Sequence, residues 1–215
     1  MNDVTRNEYN NLAHAYDYLN EQLFGSALPD CLIALKRDRP GHLGHYQSMV
    51  VRSRTDQKAT DEISLNIASF PSRTDTDILS TLAHEMVHLW QAHYGNEPRK
   101  AYHDKQFARK MKEIGLFPSD TGEPGGKETG QRMTHYIMEG HLFDTSVKEL
   151  ISSGYKINWQ MELEQPEEKG KKKSKVKYTC PACEQNAWAK PESKLICGDC
   201  MEVMESEDNQ ESADD

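Results

Sequence analysis

Leu82-Ala83-His84-Glu85-Met86-Val87-His88-Leu89-Trp90 is the stretch from which the rest of the chain can be read. It contains His84-Glu85-x-x-His88. On an α-helix positions i and i+4 share a face, so both imidazoles can reach one metal ion. Glu85 is turned by about 100° from His84, close enough to contact a water on that metal without being a ligand.

The surrounding pattern supports a buried helix. Ile78, Leu79, Leu82, Ala83, Met86, Val87, Leu89, Trp90 and Ala92 make it apolar around most of its circumference. Thr81, His84, His88 and Gln91 form a single polar stripe. Burying two histidines together is unfavourable unless something compensates them, as a metal does. Thr74 with Asp77 reads as a capping box, and Gly95 as a left-handed stop.

A catalytic zinc takes three protein ligands and keeps a fourth position open. The candidates for the third are His93, Glu97, His103 and Glu113. His93 is rotated by about 180° from His88 and points away. Glu113 lies off the buried stripe of a second helix, expected from about His103 to Ile114 with Phe107, Met111 and Ile114 facing the core. His103 lies on that stripe and is chosen. Such a set suits hydrolysis. Zinc would lower the pKa of water from ~16 to ~7, and Glu85 would carry the proton from the attacking water to a leaving amine.

Before the motif, residues 5–24 form one apolar stripe that predicts a helix with His14 as a structural or surface histidine. Cys31–Leu35, Gln47–Ser53 and Glu62–Ile67 read as strands, and short connections favour a small antiparallel sheet. Cys31 reads as a core residue, and His42 and His45 as surface residues in a turn. After the motif come a long Gly/Pro-rich loop (117–131), a strand over 133–138 and a helix over 145–153. Tyr155–Trp159 closes a domain of residues 1–160.

Residues 161–177 are a lysine-rich linker. Cys180-x-x-Cys183 and Cys197-x-x-Cys200 follow, with 13 residues between the pairs. Four thiolates at that spacing suit a structural zinc in a ribbon spanning 178–204. Tyr178, Trp188 and Lys190, with the preceding lysines, could form a surface for single-stranded or damaged DNA. Residues 205–215 read as a disordered acidic tail. Residues 1–160 carry 18 basic and 21 acidic side chains, whereas 201–215 carry 7 acidic and none basic. The net charge of -9 is therefore mainly a property of the tail and argues neither for nor against nucleic acid. No segment approaches the ~20 apolar residues of a membrane span. The N-terminus lacks the pattern of a secretory signal, and paired cysteines without one read as metal ligands. A cytoplasmic location is expected, nucleoid-associated if DNA recruits the protein.

Over roughly residues 7–150 the chain resembles the SprT-like (Spartan-type) zinc metallopeptidases. The likeness rests on Leu23-Phe24 with Leu28-Pro29, Gly41-His-Leu-Gly44, His84-Glu-Met-Val-His88, and His103 with Phe107, Met111 and Ile114-Gly115. The cysteine ribbon is also similar to that of bacterial members. The resemblance implies His84, His88 and His103 as zinc ligands and Glu85 as catalyst, the same set that spacing gives. It further implies proteolysis of DNA-bound proteins, as in DNA–protein crosslink repair. One departure is Asp104, where the family commonly has glycine. The expected fold is α+β, a zincin-like domain followed by a ribbon, with one catalytic and one structural zinc and a protein substrate. The alternatives are a nucleic-acid-associated regulatory protein with a vestigial metal site, and a general metallopeptidase not recruited to DNA. An intact Glu85 favours an enzyme, since a structural site needs ligands but no base.

Overall fold

A computed structural model describes residues 3–96, 98–99, 102–162 and 174–206. The chain divides into two units, Met1–Leu163 and Glu164–Asp215. Both are mixed or β in content, and together they make an α+β protein with small sheets. Among the described residues no helix is long and apolar enough to cross a membrane.

The first unit is built on two helices. α1 (Asp3–Phe24) buries Leu12, Tyr16, Leu19, Leu23 and Phe24 of the expected stripe and Ala15 beside them, while Tyr9 and Ala13 of that stripe are exposed. α2 (Asp75–Tyr94) is buried at nearly every position from Ile78 to Leu89. Thr74 caps it: its hydroxyl accepts from the Asp77 N–H, and the Asp77 carboxylate accepts from the Thr74 N–H. This reciprocal arrangement satisfies donors that a bare helix start would orphan. α2 ends at Gly95, but that residue has φ -109 rather than the left-handed stop expected. Its need for glycine is steric. A Cβ there would lie 2.7 Å from Gln106 Oε1 and 2.9 Å from the Gln91 carbonyl oxygen.

β1 (Leu32–Lys36), β2 (Gly44–Arg52) and β3 (Ala59–Asn66) form one sheet in the order β1-β3-β2. β2 and β3 are antiparallel, as expected, but β1 and β3 are parallel. The sheet is therefore mixed, not antiparallel. Short loops suggested pairing in sequence order, whereas the β2–β3 hairpin folds back so that β3 inserts next to β1. Residues Gly44–Gln47 join the second strand, which a bulge interrupts between Gln47 and Val51.

α3 runs from Lys105 to Glu113 and buries Phe107, Ala108 and Met111. β4 (Leu116–Ser119) takes the first residues of the expected loop and pairs antiparallel with β5 (Thr134–Ile137). α4 (Leu142–Ser152) starts three residues earlier than its apolar pattern suggests and buries Phe143, Val147 and Leu150. The Ile157 N–H then donates to Asp75 at the start of α2, tying the end of the unit to the motif helix.

In the second unit β6 (Val176–Thr179) pairs with β7 (Asn186–Ala189) and β8 (Glu205–Ser206). The strands thus reach two residues beyond each end of the expected 178–204. Of the lysine-rich linker and the acidic tail, residues 163–173 and 207–215 lie outside the described residues.

Candidate metal centre

α2 presents His84 and His88 one turn apart, and His103 arrives from the far side. His103 Nε2 lies 3.3 Å from His84 Nε2 and 3.1 Å from His88 Nε2. His103 is not part of a helix, as its stripe had suggested. It precedes α3 and is held in a two-way backbone bridge with Gly130, and its Nδ1 lies 3.1 Å from the Gly130 carbonyl oxygen. Part of the 117–131 loop thereby gains a purpose, since it fixes the third imidazole. Asp104 explains the break. Its carboxylate accepts from the Gln106 and Phe107 N–H groups, capping α3, and from the Gln91 side chain on α2. The polar stripe thus ends in a brace between the two helices. The Phe107 ring lies 4.3–5.1 Å from all three imidazoles and floors the site.

The donors fit a metal. A tetrahedral ion with metal–nitrogen bonds of about 2.0–2.1 Å needs ligand nitrogens roughly 3.3 Å apart. Three Nε2 atoms facing one another cannot all be satisfied by mutual hydrogen bonds, whereas a cation at their centre satisfies all three. Burial lowers all three pKa values, assisted at His84 and His88 by neighbouring histidines, and His88 falls to about 3. The imidazoles are therefore neutral near pH 7, as ligands must be.

Glu85 is 6 % exposed. Burial raises its carboxyl to about 8, against the pull of the Tyr46 backbone N–H. β2 presses on it closely: a Cβ built at Gly44 would lie 2.8 Å from Thr81 Cγ2 and 3.0 Å from Glu85 Oε1. Gly44→Ala is therefore expected to displace Glu85 and lower any hydrolysis that depends on this carboxylate by about 10-fold or more, since small misplacements at a reacting centre are costly. Metal content should stay unchanged, and a steady-state assay beside metal analysis distinguishes the two.

Behind this strand Asp61 on β3 is 2 % exposed. It accepts from Tyr46 Oη at 2.9 Å and from the Met49 N–H at 3.0 Å in the bulge. His93 Nε2 lies 2.8 Å away from it. His93 thus points away from the metal site, as its rotation predicts, but to a buried carboxylate that the sequence did not single out. The Tyr46 ring in turn stacks on His88, with centroids 6.3 Å apart.

A fourth histidine near the site was not anticipated. His135, on β5, has Nδ1 3.2 Å from His84 Nδ1 and Nε2 2.9 Å from Ser80 Oγ. Burial and the neighbouring Arg73 lower its pKa to about 4. The available signal was its place in the expected 133–138 strand, and nothing in that short run shows which face meets α2.

In the second unit the four cysteine sulfurs come within 4.8 Å of one another. The Cys183 and Cys197 sulfurs are 3.7 Å apart, close to the roughly 3.8 Å expected around a tetrahedral ion with sulfur bonds of ~2.3 Å. The two pairs are built alike. Glu184 N–H bonds back to the Cys180 carbonyl and Met201 N–H to that of Cys197, both at 2.8–2.9 Å. Glu184 and Met201 both have φ near +60. Backbone N–H groups of Cys200 and Asp199 draw the Cys197 thiol down to about 7, while hydrogen bonding to Cys183 and desolvation push Cys200 up to about 12. A shared cation would relieve that crowding.

The remaining candidates lie elsewhere. His42 contacts Asp38 and Arg39, Glu113 pairs with Arg109 and Lys110, and His14 faces the Tyr155 ring. Glu97 lies outside the described residues. Of the aromatic residues considered for a nucleic-acid surface, Trp188 is 63 % exposed, but Tyr178 is buried and bonded to Lys190 and Ser193.

The model of the SprT-like family matches residues 12–124. A curated Salmonella typhimurium relative, described as an uncharacterized protein in the mucB 3' region, is 46% identical over 39 residues, which is 18% of this chain. The match spans about half of that relative, 53% of its length.

Proposed function

Since the chain belongs to the SprT-like family, a family associated with metallopeptidase-like activity, we propose that it is a zinc-dependent endopeptidase acting on DNA-bound or crosslinked proteins in the cytoplasm. The observation that carries the proteolytic part is the convergence of His84, His88 and His103 with the buried Glu85 beside them. The three imidazoles would hold the ion through Nε2. When bound, zinc supplies a Lewis acid that acidifies water and steadies an oxyanion. Glu85 takes a proton from the attacking water and delivers it to the leaving amine. Tyr46 N–H and the close approach of Gly44 hold the carboxylate in place. Asp104 and Gly130 position His103, and Phe107 keeps water from beneath the ligands.

Recruitment to DNA is supported by the family likeness and by the second unit, where a structural zinc would sit among the four cysteines. There the exposed Trp188 lies opposite Lys177 in the β6–β7 ladder, an aromatic platform beside a basic side chain.

The test is cleavage of a DNA-binding protein by the purified full chain, with and without single-stranded DNA. DNA-stimulated cleavage is expected, weakened in Trp188→Ala by the loss of a stacking contact worth ~1–3 kcal/mol. DNA-independent cleavage, with no DNA binding even at low salt, would reject recruitment and leave a general metallopeptidase.

A further inference from the structure

The metal-facing nitrogens leave a question of protons at His84. For Nε2 to bind a cation it must offer a lone pair, so the ring proton sits on Nδ1 and needs an acceptor. The acceptor in place is not a carboxylate or a backbone carbonyl but His135 Nδ1, at 3.2 Å. That nitrogen can accept only if the His135 proton is on Nε2, which faces Ser80 Oγ at 2.9 Å. The Ser80 hydroxyl then donates to the Asp77 carbonyl at 2.8 Å. Every donor in the series has an acceptor when it runs in this direction. Run backwards, it places a proton on His84 Nε2 and closes the site to metal.

We propose that His135 is a positioning residue, which together with Ser80 forms a neutral relay that fixes the metal-binding tautomer and ring angle of His84. The relay adds no negative charge next to the ligand, unlike a carboxylate partner. Its anchor is the first turns of the motif helix itself: Ser80 lies one turn before His84, and Asp77 one turn before Ser80 on average. His135 comes from β5, so the β4–β5 hairpin reaches the metal site twice, through this ring at His84 and through Gly130 of its connecting loop at His103. The inference rests on the metal reading of the three histidines, not on what the enzyme cleaves.

The experiment is a chelator competition on the full chain, reported by cobalt substitution so that the histidine site is separated from the cysteines by the latter's thiolate-to-metal charge-transfer bands. His135→Phe, which removes the acceptor, should weaken metal binding at the histidines by about 10- to 100-fold. His135→Asn, whose Oδ1 can stand where Nδ1 stood, should restore most of it. A merely structural role would lower the melting temperature of both metal-free variants and leave affinity alone. In zinc-loaded wild type, imidazole nitrogen shifts should report His135 protonated on Nε2. Wild-type affinity in His135→Phe, no recovery in His135→Asn, or a proton on Nδ1 of His135 would overturn the relay while leaving the metal centre standing. A wild-type chain that takes up no metal at its histidines would overturn both.

Discussion

Replacing Glu85 by glutamine is expected to lower peptide cleavage by about 10²–10⁴-fold, the range usual for removing a general base. Metal content should be retained, because the change touches none of the three imidazoles. Glutamine keeps the volume that Gly44 packs against, so little rearrangement follows. Cleavage at the wild-type rate would sink the assignment of Glu85 as the base. A second readout comes from the metal-free protein. Burial raises the Glu85 carboxyl to about 8, against roughly 4.3 when unfolded. The folded state thus holds a proton that the unfolded chain releases. That stability is complete below the unfolded pKa and is lost as pH rises toward 8. The buried histidines behave oppositely: burial, with His103 and His45 nearby, holds His88 at about 3, so its contribution is lost only as pH falls below about 6.5. Between about pH 6.5 and 8 the metal-free wild type should therefore lose melting temperature, and Glu85→Gln should not. Parallel profiles would show that Glu85 does not carry a buried proton.

The parts of the fold legible in the sequence are those written in a helical period or a local cap. The buried stripe of α1, the capping box at Thr74 and the all-round apolarity of α2 each depend on neighbours a few residues apart. Strand pairing does not. Nothing local to Leu32–Lys36 says that it will lie parallel to β3 instead of antiparallel to β2. The same limit divides the site. His84, Glu85 and His88 share one helix, and the spacing alone puts them together. A helical stripe singles out His103 in the sequence, yet the residue lies outside the helix, with Asp104 as the cap. The side chain still meets the others because the bridge to Gly130 holds its ring with Nε2 3.1–3.3 Å from those of His84 and His88. His135 and Asp61 act from strands across long sequence separations, where a single polar residue in a short run carries no periodic mark.

Withdrawing metal from the four cysteines is expected to unfold the second unit outright. Among the described residues its buried apolar cluster consists of Val176, Tyr178, Cys180, Cys197 and Met204, so two of the five members are themselves candidate ligands. Its strands are four, four and two residues long. Modules below about 40 residues seldom fold on a core alone. A structural zinc contributes ~10–16 kcal/mol of folding free energy in comparable small sites, far more than such a cluster can replace. Serine at position 197 should act as the chelator does, because its hydroxyl cannot supply the anionic sulfur that the Cys200 and Asp199 N–H groups favour. The first unit should respond differently to the same chelator. Its core runs continuously from α1 through α2 to α4 and does not depend on the histidines. Limited trypsin digestion of the full chain separates these outcomes, since the cleavable bonds after Lys177 and Lys194 lie within the second unit. Chelation or Cys197→Ser should expose those sites while the first unit stays intact. Protection that persists after the metal has been shown to leave would mean that the strands, not the ion, hold the module together.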